Sequence, residues 1–471
     1  MIERNKVFID GEWVDSAGEG VLTVVNPATE EAFATIPDGA PADVDRAARA
    51  AAAALDSWSQ TTVEERAAVL TRITQILEAR SDEITRMIVQ EVGEPEKFAK
   101  RNQTGAPIFT LWNTIESMND VHWDEQIGAT LVHRAPAGVV SAITPWNVPM
   151  LMIAMKVGAA LAAGCTVVLK GTEVAPMSSF IFAEAAQEAG VPAGVFNLVS
   201  GTGPVVGEAM CTHPLVDVVS LTGSVRAGRR VMELAAQGIK RVGLELGGKS
   251  ANIILSDADL ETAVKGGVDD SFRNSGQVCG GLTRMLVHRS RLAEAEEIAA
   301  EHAKTFILGD PFAEETTLGP VTTADALQRV RGYIRSGVEE GARLVSGGPE
   351  APEGLDRGYF VRPTVFSAPD NHLRIAQEEI FGPVVTIVPF DTDDDAVRIA
   401  NDSQYGLAGA IWAADTDRAI ALAKRVRTGR VRINGSAINP KAPHGGFKLS
   451  GIGRENGKYG IEEFLEYQSI G

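Results

Sequence analysis

The spacing of hydrophobic positions changes at about residue 138. Before it, an Ala-rich segment from Pro41 to about Ala54 and the stretch "TVEERAAVLTRITQILEARSDEITRMIVQEVG" place apolar residues at helical spacing. We therefore predict two or more helices ahead of the first core strand. From residue 138, short β-branched runs such as "GVVSAIT", "CTVVLK" and "VDVVSLTG" alternate with helical segments. This β-α-β-α-β order is typical of a mostly parallel sheet covered by helices, and it predicts a nucleotide-binding α/β domain.

The alternation restarts after "KRVGLELGGKSANIIL" and predicts a second α/β domain over about residues 247–448. The tail "IEEFLEYQSIG" reads as a short amphipathic strand that pairs elsewhere, with another subunit as one option. The most apolar run, residues 148–164, carries Lys156 inside it and follows the irregular "TPWN". We interpret this run as a buried helix and not as a membrane span.

The length, net charge and cysteine content of the chain argue against several classes of binding partner. A chain of 471 residues is long enough for two domains, and its net charge of -18 repels nucleic-acid phosphates and anionic lipid. We expect no nucleic-acid and no membrane partner. Three scattered cysteines give neither a disulfide framework nor a metal site, and the N-terminus lacks the apolar stretch of a secretory signal. We therefore expect a reducing, cytoplasmic location and no bound metal.

Two glycine turns each lie between a strand and a helix. "VSGTGPVVGEAM" contains Gly201-x-Gly203-x-x-x-Gly207, and "SLTGSVRAG" places Gly223 and Ser224 where a helix begins. A helix N-terminus with a small residue nearby is suited to binding a phosphate. Taken separately, each turn is equally well explained as an ordinary connection.

Two further stretches carry reactive groups. Glu245 in "LELGGKS" lies among apolar residues, where partial desolvation raises a carboxyl pKa toward the range of a general base. A salt-bridged glutamate at a strand end is the alternative for this residue alone. Cys279 in "FRNSGQVCGG" is surrounded by glycines that leave its thiol accessible.

Seven motifs together resemble the NAD(P)-dependent aldehyde dehydrogenase superfamily in order and in approximate distance: "TPWNVP", "KGTE", "LTGS", "LELGGKS", "GQVC", "EEIFGPV" and "HGGFKLSGIGRE". The resemblance covers essentially the whole chain. It implies a Rossmann-type NAD-binding domain (1–115 and 135–246), an α/β catalytic domain (247–448) and a small β oligomerisation element (116–134 and 449–471). It also implies a homodimer or homotetramer.

By this resemblance, Cys279 is the nucleophile that attacks an aldehyde, and Asn147 with the Cys279 N–H stabilises the oxyanion. The thiohemiacetal passes hydride to NAD, and Glu245 activates the water that hydrolyses the thioester. The coenzyme-A-acylating branch characteristically lacks this glutamate, so the resemblance favours a free carboxylic acid as product. A non-catalytic binding protein is the alternative, and it gives no reason for keeping all of these groups.

The resemblance also assigns the cofactor site, and it favours NAD, with NADP as the alternative. Lys170 and Glu173 match positions that hold the adenosine ribose, where a carboxylate disfavours a 2′-phosphate. Gly171 between them leaves this loop less stiff. The full set of expected cofactor residues is Thr144, Pro145, Trp146, Lys170, Glu173, Gly203, Gly207, Gly223, Ser224, Leu246, Glu379 and Phe381.

Six residues are expected to line the substrate site: Leu151, Met152, Met155, Arg273, Asn439 and His444. The methionines fit a medium-sized, partly hydrophobic aldehyde, although a methionine stripe is usually core. The Arg273 guanidinium is suited to pairing with the carboxylate of a semialdehyde substrate. The alternative is that its side chain is turned to solvent. For His444 the options are contact with the substrate or Cys279, and a packed neutral imidazole.

Overall fold

The computed structural model describes residues 1–471. The helices are α1 (Pro41–Ser59), α2 (Val63–Ala79), α3 (Ser81–Glu91), α4 (Glu96–Ala99), α5 (Ala106–Ser117), α6 (Pro149–Ala163), α7 (Met177–Glu188), α8 (Glu208–Thr212), α9 (Val225–Ala236), α10 (Leu260–Phe272), α11 (Leu292–Ala303), α12 (Ala324–Glu339), α13 (Arg374–Gln377), α14 (Asp393–Asn401), α15 (Thr416–Ala423) and α16 (Gly457–Glu462).

The strands are β1 (Ile2–Glu3), β2 (Lys6–Ile9), β3 (Glu12–Asp15), β4 (Gly20–Val25), β5 (Ala32–Asp38), β6 (Asp124–Ile127), β7 (Thr130–Pro136), β8 (Val139–Ile143), β9 (Thr166–Lys170), β10 (Phe196–Val199), β11 (Val218–Thr222), β12 (Arg241–Glu245), β13 (Ala251–Ile254), β14 (Arg284–His288), β15 (Arg343–Ser346), β16 (Thr364–Ser367), β17 (Val384–Phe390), β18 (Ala408–Trp412), β19 (Arg430–Ile433), β20 (Gly451–Ile452) and β21 (Leu465–Ile470).

An eight-stranded sheet in the order β20-β12-β11-β8-β9-β10-β2-β3 forms the first α/β layer. Strands β8 to β12 run parallel, as their β-branched runs predict. The expectation that helices precede the first core strand is wrong, because β2 and β3 form an antiparallel hairpin that extends the β10 edge. This hairpin is short and separated from β10 by most of the domain, so local periodicity did not identify its place.

A seven-stranded sheet in the order β15-β16-β17-β14-β13-β18-β19 forms the second α/β layer. Its strands are parallel apart from β15, which is antiparallel to β16. Buried Val, Ile and Ala side chains cover both of its faces, as a parallel sheet enclosed by helices requires.

Two three-stranded sheets, β1-β5-β4 and β21-β7-β6, complete the structure. The C-terminal tail contains α16 followed by β21, and β21 pairs antiparallel with β7 of the same chain, with Leu465 opposite Pro136. The tail therefore finds its partner within its own chain, more than 300 residues earlier in the sequence. Pairing at this sequence distance is invisible to a local pattern.

The apolar run from residue 148 to 164 forms α6, whose residues are buried almost throughout. Lys156 is buried within this helix and pairs with Glu455 at 2.8 Å. No helix in the structure has both the length and the apolar character needed to cross a bilayer.

Candidate active site

The carboxyl ends of β8, β9, β11 and β12 meet at one edge of the eight-stranded sheet. The Thr144 N–H donates to the Lys170 carbonyl at 3.2 Å, which holds the loop after β8 against the end of β9. Glu245 is the last residue of β12 and lies in register with Thr222 of β11. Parallel pairing therefore brings the separate sequence motifs to one side of the sheet, where ligands bind in open α/β folds.

Lys170 and Glu173 form an ion pair of 3.0 Å just beyond β9. The Lys170 side chain is buried, whereas the Glu173 side chain is about one-third exposed. Gly171 lies against α7, and a Cβ there would come within 2.0 Å of the Ser179 Oγ. The absence of a side chain at Gly171 therefore lets this loop pack tightly on α7. This packing restrains a loop that a glycine would otherwise leave flexible.

The two glycine turns present open backbone on the same side. Ser224 is the N-cap of α9, and its hydroxyl accepts a hydrogen bond from the Ala227 N–H at 3.2 Å. The space around Gly203 is open, since no heavy atom lies within 4 Å of a Cβ built there. Gly207 and Gly223 have only ordinary contacts at 3.7 Å or more. These turns have room for a phosphate against the backbone.

Glu379 reaches the paired glycines that follow Glu245. Its Oε1 accepts a hydrogen bond from the Gly248 N–H at 3.0 Å, and a Cβ on Gly247 would lie 2.2 Å from its Oε2. Burial raises the pKa of Glu379 to about 7, against the effect of the Gly248 hydrogen bond. A ligand hydroxyl that donates a hydrogen bond to this carboxylate would replace the water that burial removes.

Phe381 and Trp146 make an edge-to-face contact with ring centroids 5.5 Å apart, beside the Pro145 turn. Phe381 adopts φ +58°, a left-handed conformation that is uncommon for a bulky residue. On the other side, Leu246 packs so closely on α9 that a Cβ at Gly228 would lie 2.6 Å from its Cδ1. Leu246 and Phe381 are thus both held by close packing against their neighbours.

The loop before Cys279 is strained. Asn274, Ser275 and Gly276 all have positive φ, of 49°, 54° and 74°, and such a conformation costs about 1–3 kcal/mol for a non-glycine residue. Hydrogen bonds hold it: the Ser275 hydroxyl donates to the Gly319 carbonyl at 2.7 Å, and the Gln277 side chain donates to the Asn274 carbonyl at 3.0 Å. Gly276 is required, because a Cβ there would lie 1.9 Å from the Gly382 oxygen.

Asn147 is bonded directly to this loop. Its Nδ2 donates to the Gln277 carbonyl at 2.9 Å, and its own carbonyl accepts from the Asn274 Nδ2 at 2.9 Å and the Gln103 Nε2 at 2.9 Å. An amide nitrogen carries two protons, so the second remains for an oxygen bound near Cys279. Local packing therefore fixes the amide that the sequence assigned to oxyanion stabilisation.

Cys279 is half-buried and unpaired. Burial, followed by the charges of Glu379 and Glu245, raises the pKa of its thiol to about 12. The resting residue is therefore a protonated thiol, and nucleophilic attack requires a base to accept its proton.

Glu245 is buried, and neither carboxylate oxygen has a hydrogen-bond partner. Burial raises its pKa well above the ordinary value, and the Glu455 carboxylate adds to the effect while Lys156 opposes it. Lys156 donates to the Glu455 Oε1 at 2.8 Å and the Ser220 Oγ at 3.0 Å. Sequence reasoning did not assign Lys156 and Glu455 to the site, although a lysine inside an apolar helix is a detectable signal.

His444 lies beside the same carboxylate, with its Nε2 3.7 Å from the Glu245 Oε2. Burial and the nearby Arg430 charge lower the pKa of His444 to about 4, so the imidazole is neutral at physiological pH. Its backbone exchanges hydrogen bonds with Glu455 at 2.8 and 2.7 Å. The ring is thus packed and neutral, as in one of the two options from the sequence, and it lies beside Glu245.

The other predicted substrate residues occupy different environments. Met152 and Met155 are buried on α6 and Leu151 is half-buried, whereas Asn439 is exposed and its side chain accepts from the Lys441 N–H. Arg273 lies on a pocket of about 510 Å³ that Glu94, Arg101 and Asp269 also line. Arg273 is exposed and forms no ion pair, in line with the alternative of an arginine turned to solvent.

Comparison with known proteins identifies the family to which the chain belongs. The model of the aldehyde dehydrogenase family matches residues 13–470. A 3-succinoylsemialdehyde-pyridine dehydrogenase of a Pseudomonas species is 47% identical over 471 residues, covering 100% of this chain and 99% of the relative.

Two solved structures extend the comparison. A mutant of aldehyde dehydrogenase C from Pseudomonas syringae, in complex with NAD+ and octanal, superposes with a TM-score of 0.97 at 46% identity, covering 99% of this chain and 96% of that one. The Mycobacterium tuberculosis aldehyde dehydrogenase complexed with NAD+ gives 0.97 at 41% identity, covering 100% and 98%. The fold is that of aldehyde dehydrogenases, and the chain belongs to the aldehyde dehydrogenase family.

Proposed function

We propose that this protein is an NAD-dependent dehydrogenase that oxidises an aldehyde to a carboxylic acid through a covalent intermediate on Cys279. The observation that carries the proposal is the direct bonding of Asn147 to the Cys279 loop, with the unpartnered Glu245 carboxylate on the adjacent strand end. Family membership and the NAD+ complexes of two similar structures support it.

In this proposal, the Cys279 sulfur attacks the aldehyde carbon, and Glu245 takes up the thiol proton either directly or through a water. The free Asn147 N–H donates to the oxygen of the thiohemiacetal, and removing one such donor typically costs about 2.7–4 kcal/mol in the barrier. A thioester on Cys279 follows. Glu245 then releases the thiol proton to solvent and removes a proton from the attacking water, and the Cys279 thiolate leaves as the acid forms.

The residues present fit NAD. Lys170 and Glu173 would hold the adenosine ribose, Ser224 and the open glycine turns would receive the phosphates, and Glu379 would bind the nicotinamide ribose. Bound NAD supplies the acceptor for the hydride that leaves the thiohemiacetal. The Glu173 carboxylate disfavours a 2′-phosphate, so NADP is the weaker cofactor in this proposal.

A semialdehyde is the second candidate substrate, favoured by the uncommitted Arg273 on the pocket. The 47% identical relative is named for a semialdehyde. The octanal complex of the P. syringae enzyme instead favours an aliphatic aldehyde, which Met152 and Met155 would suit.

We also propose a homodimer or homotetramer in a reducing, cytoplasmic compartment. The β21-β7-β6 sheet has open edges, with Ile127 and Tyr467 about 60% exposed, and unprotected sheet edges favour pairing between chains. All three cysteines are unpaired, as expected of a protein in a reducing compartment.

The test is NADH formation by purified protein with aliphatic, aromatic and carboxylate-bearing aldehydes. Cys279→Ala should abolish turnover, whereas Cys211→Ala, a buried thiol whose pKa is also raised to about 12 by burial, should retain it. Light scattering should give a dimer or tetramer. If no aldehyde is oxidised with either NAD or NADP, the binding-protein alternative replaces this proposal.

A further inference from the structure

Arg430 begins β19 and reaches the residue that follows the nucleophile. Its Nη2 lies 3.4 Å from the position that a Cβ would take on Gly280. The residue is half-buried, its Nε is buried without a hydrogen-bond partner, and no carboxylate lies within 4 Å of its guanidinium. Arg430 therefore has no ion-pair partner beside Cys279.

Two other arginines show how this protein normally accommodates such a group. Arg284 is fully buried and donates to four acceptors at 2.9–3.0 Å, among them the Lys249 carbonyl and the Asn371 side chain. Arg432, two residues after Arg430, pairs with Asp270 at 3.0 Å. Arg430 has no comparable partner. A half-buried guanidinium without an ion pair is available to an anionic ligand.

The charges around Arg430 leave it available to an anion. Asp270 is committed on one oxygen to Arg432 and on the other to the Leu282 N–H. Burial lowers the pKa of Arg430, the neighbouring Arg432 and Arg273 charges act in the same direction, and Cys279 and Asp270 oppose them. The one nearby carboxylate, that of Asp270, already accepts from Arg432 and so does not pair with Arg430.

The position of Arg430 limits the length of a ligand that reaches both it and Cys279. Arg273 lines the wide outer pocket, whereas Arg430 adjoins Gly280 next to the nucleophile. Only a few bonds can separate the aldehyde carbon from a group held by Arg430. A planar guanidinium donates two parallel hydrogen bonds to a carboxylate, which makes this acceptor the best match.

We propose that Arg430 is a specificity-determining residue that binds the distal carboxylate of a short aldehyde acid held at Cys279. This inference rests on the aldehyde oxidation proposed above. It makes Arg430, rather than Arg273, the main contact for the carboxylate.

The experiment compares kcat/KM for succinic semialdehyde with that for butanal, which has the same number of carbons and no charge. Arg430→Gln should lower the semialdehyde value about 10- to 100-fold, as expected for the loss of hydrogen bonds to a charged group. It should lower the butanal value by a smaller factor, because butanal has no carboxylate and loses only the effect of Arg430 on the Cys279 thiol. Arg430→Lys should retain part of the preference, and Arg273→Gln should have the smaller effect on the semialdehyde.

A second measurement uses no turnover. Succinate should slow alkylation of Cys279 by iodoacetamide in the wild-type protein, and this protection should be lost in Arg430→Gln. If wild-type protein oxidises no aldehyde, the proposed function fails, while the protection assay still decides whether Arg430 binds a carboxylate.

Three outcomes overturn the inference. Equal losses for both aldehydes, together with a shifted pH dependence of Cys279 alkylation, would mean that Arg430 acts on the thiolate. Unchanged kinetics with both aldehydes and unchanged protection in folded Arg430→Gln would leave Arg430 without a substrate role. A larger semialdehyde defect in Arg273→Gln would move carboxylate binding to the outer pocket.

Discussion

The proposed cofactor cleft and the proposed pocket around Cys279 differ in how their charged groups are partnered. In the cleft, Lys170 is paired with Glu173, and Ser224 caps a helix. In the pocket, both oxygens of Glu245 and the Nε of Arg430 have no partner. The charged pair of the cleft is thus satisfied within the protein, whereas our proposal makes the reacting molecules the partners of the charged groups in the pocket. Residues that bind a cofactor can form hydrogen bonds and ion pairs within the protein before the ligand arrives. Residues that react keep donor or acceptor atoms free for the reacting molecule.

Glu245→Gln should give the largest change, because the pocket depends on this carboxylate to activate water. We expect steady-state kcat to fall about 10²- to 10⁴-fold, the usual contribution of a general base. If thioester formation survives, rapid mixing should still give one equivalent of NADH in an initial burst. Glu91→Gln is the matched control, because Glu91 is a buried carboxyl outside the site whose pKa burial raises to about 8.

The pH dependence of kcat tests whether Glu245 must be ionised to act as the base. The pKa of Glu245 is raised by burial and by Glu455, so the carboxyl is protonated and inactive as a base below that pKa. Wild-type kcat should therefore rise with pH through the raised pKa, and Glu245→Gln should lack this rise. An identical profile in the two proteins would contradict the assigned role.

Asn147→Ala should have the next largest effect, since its amide belongs to both the Cys279 loop and the oxyanion site. We expect the rate of the NADH burst to fall about 10²- to 10³-fold, with little change in the dissociation constant of NAD. Asn119→Ala, on the surface, removes an amide bonded only to the Glu116 carbonyl and serves as control. A burst of normal rate would rule out Asn147 as an oxyanion donor.

Glu173→Gln tests the cleft and should have a smaller effect. We expect the KM for NAD to rise about tenfold, as for loss of one charged hydrogen bond, and the KM for NADP to fall as repulsion of the 2′-phosphate is relieved. The kcat should change little. Glu188→Gln, an exposed carboxylate at the end of α7, should leave both KM values unchanged.

Ser224→Ala should have the smallest effect. Loss of this N-cap should lower stability by about 1 kcal/mol, and the same loss is expected for Thr323→Ala, which caps α12 outside the site. Only Ser224→Ala should also raise the KM for NAD. Thermal unfolding and NAD kinetics on the two variants separate the structural effect from the binding effect, and equal KM values would remove Ser224 from the cofactor site.

The comparison also explains what the sequence could predict. Local patterns identified the parallel strands, the buried α6 and the turns at Gly203 and Ser224, because periodicity and turn chemistry are encoded within a few residues. Ordered motifs predicted Cys279, Glu245 and Asn147 as reactive groups, and these roles stay predictions. Their burial and pKa values required the structure, since they depend on residues such as Glu455 that are distant in the chain.

Long-range pairing limited the prediction of both fold and site. The β2-β3 hairpin and the β21-β7 pair join segments far apart in sequence, and no local pattern specifies such partners. The same holds for Lys156 with Glu455 and for Arg430 beside Gly280. No local sequence pattern marks these side chains as part of the candidate site. They become candidates only because the fold brings them next to the other residues of the site.

The short strand β20 has a consequence for synthesis of the chain. Gly451 pairs antiparallel with Glu245, so the strand that carries the base stays at an open sheet edge until residues near the C-terminus have left the ribosome. Cys279 is translated long before that point. In the mechanism proposed above, the nascent protein would therefore hold its thiol before β20 pairs with the strand that carries Glu245, so the order of translation would delay reactivity.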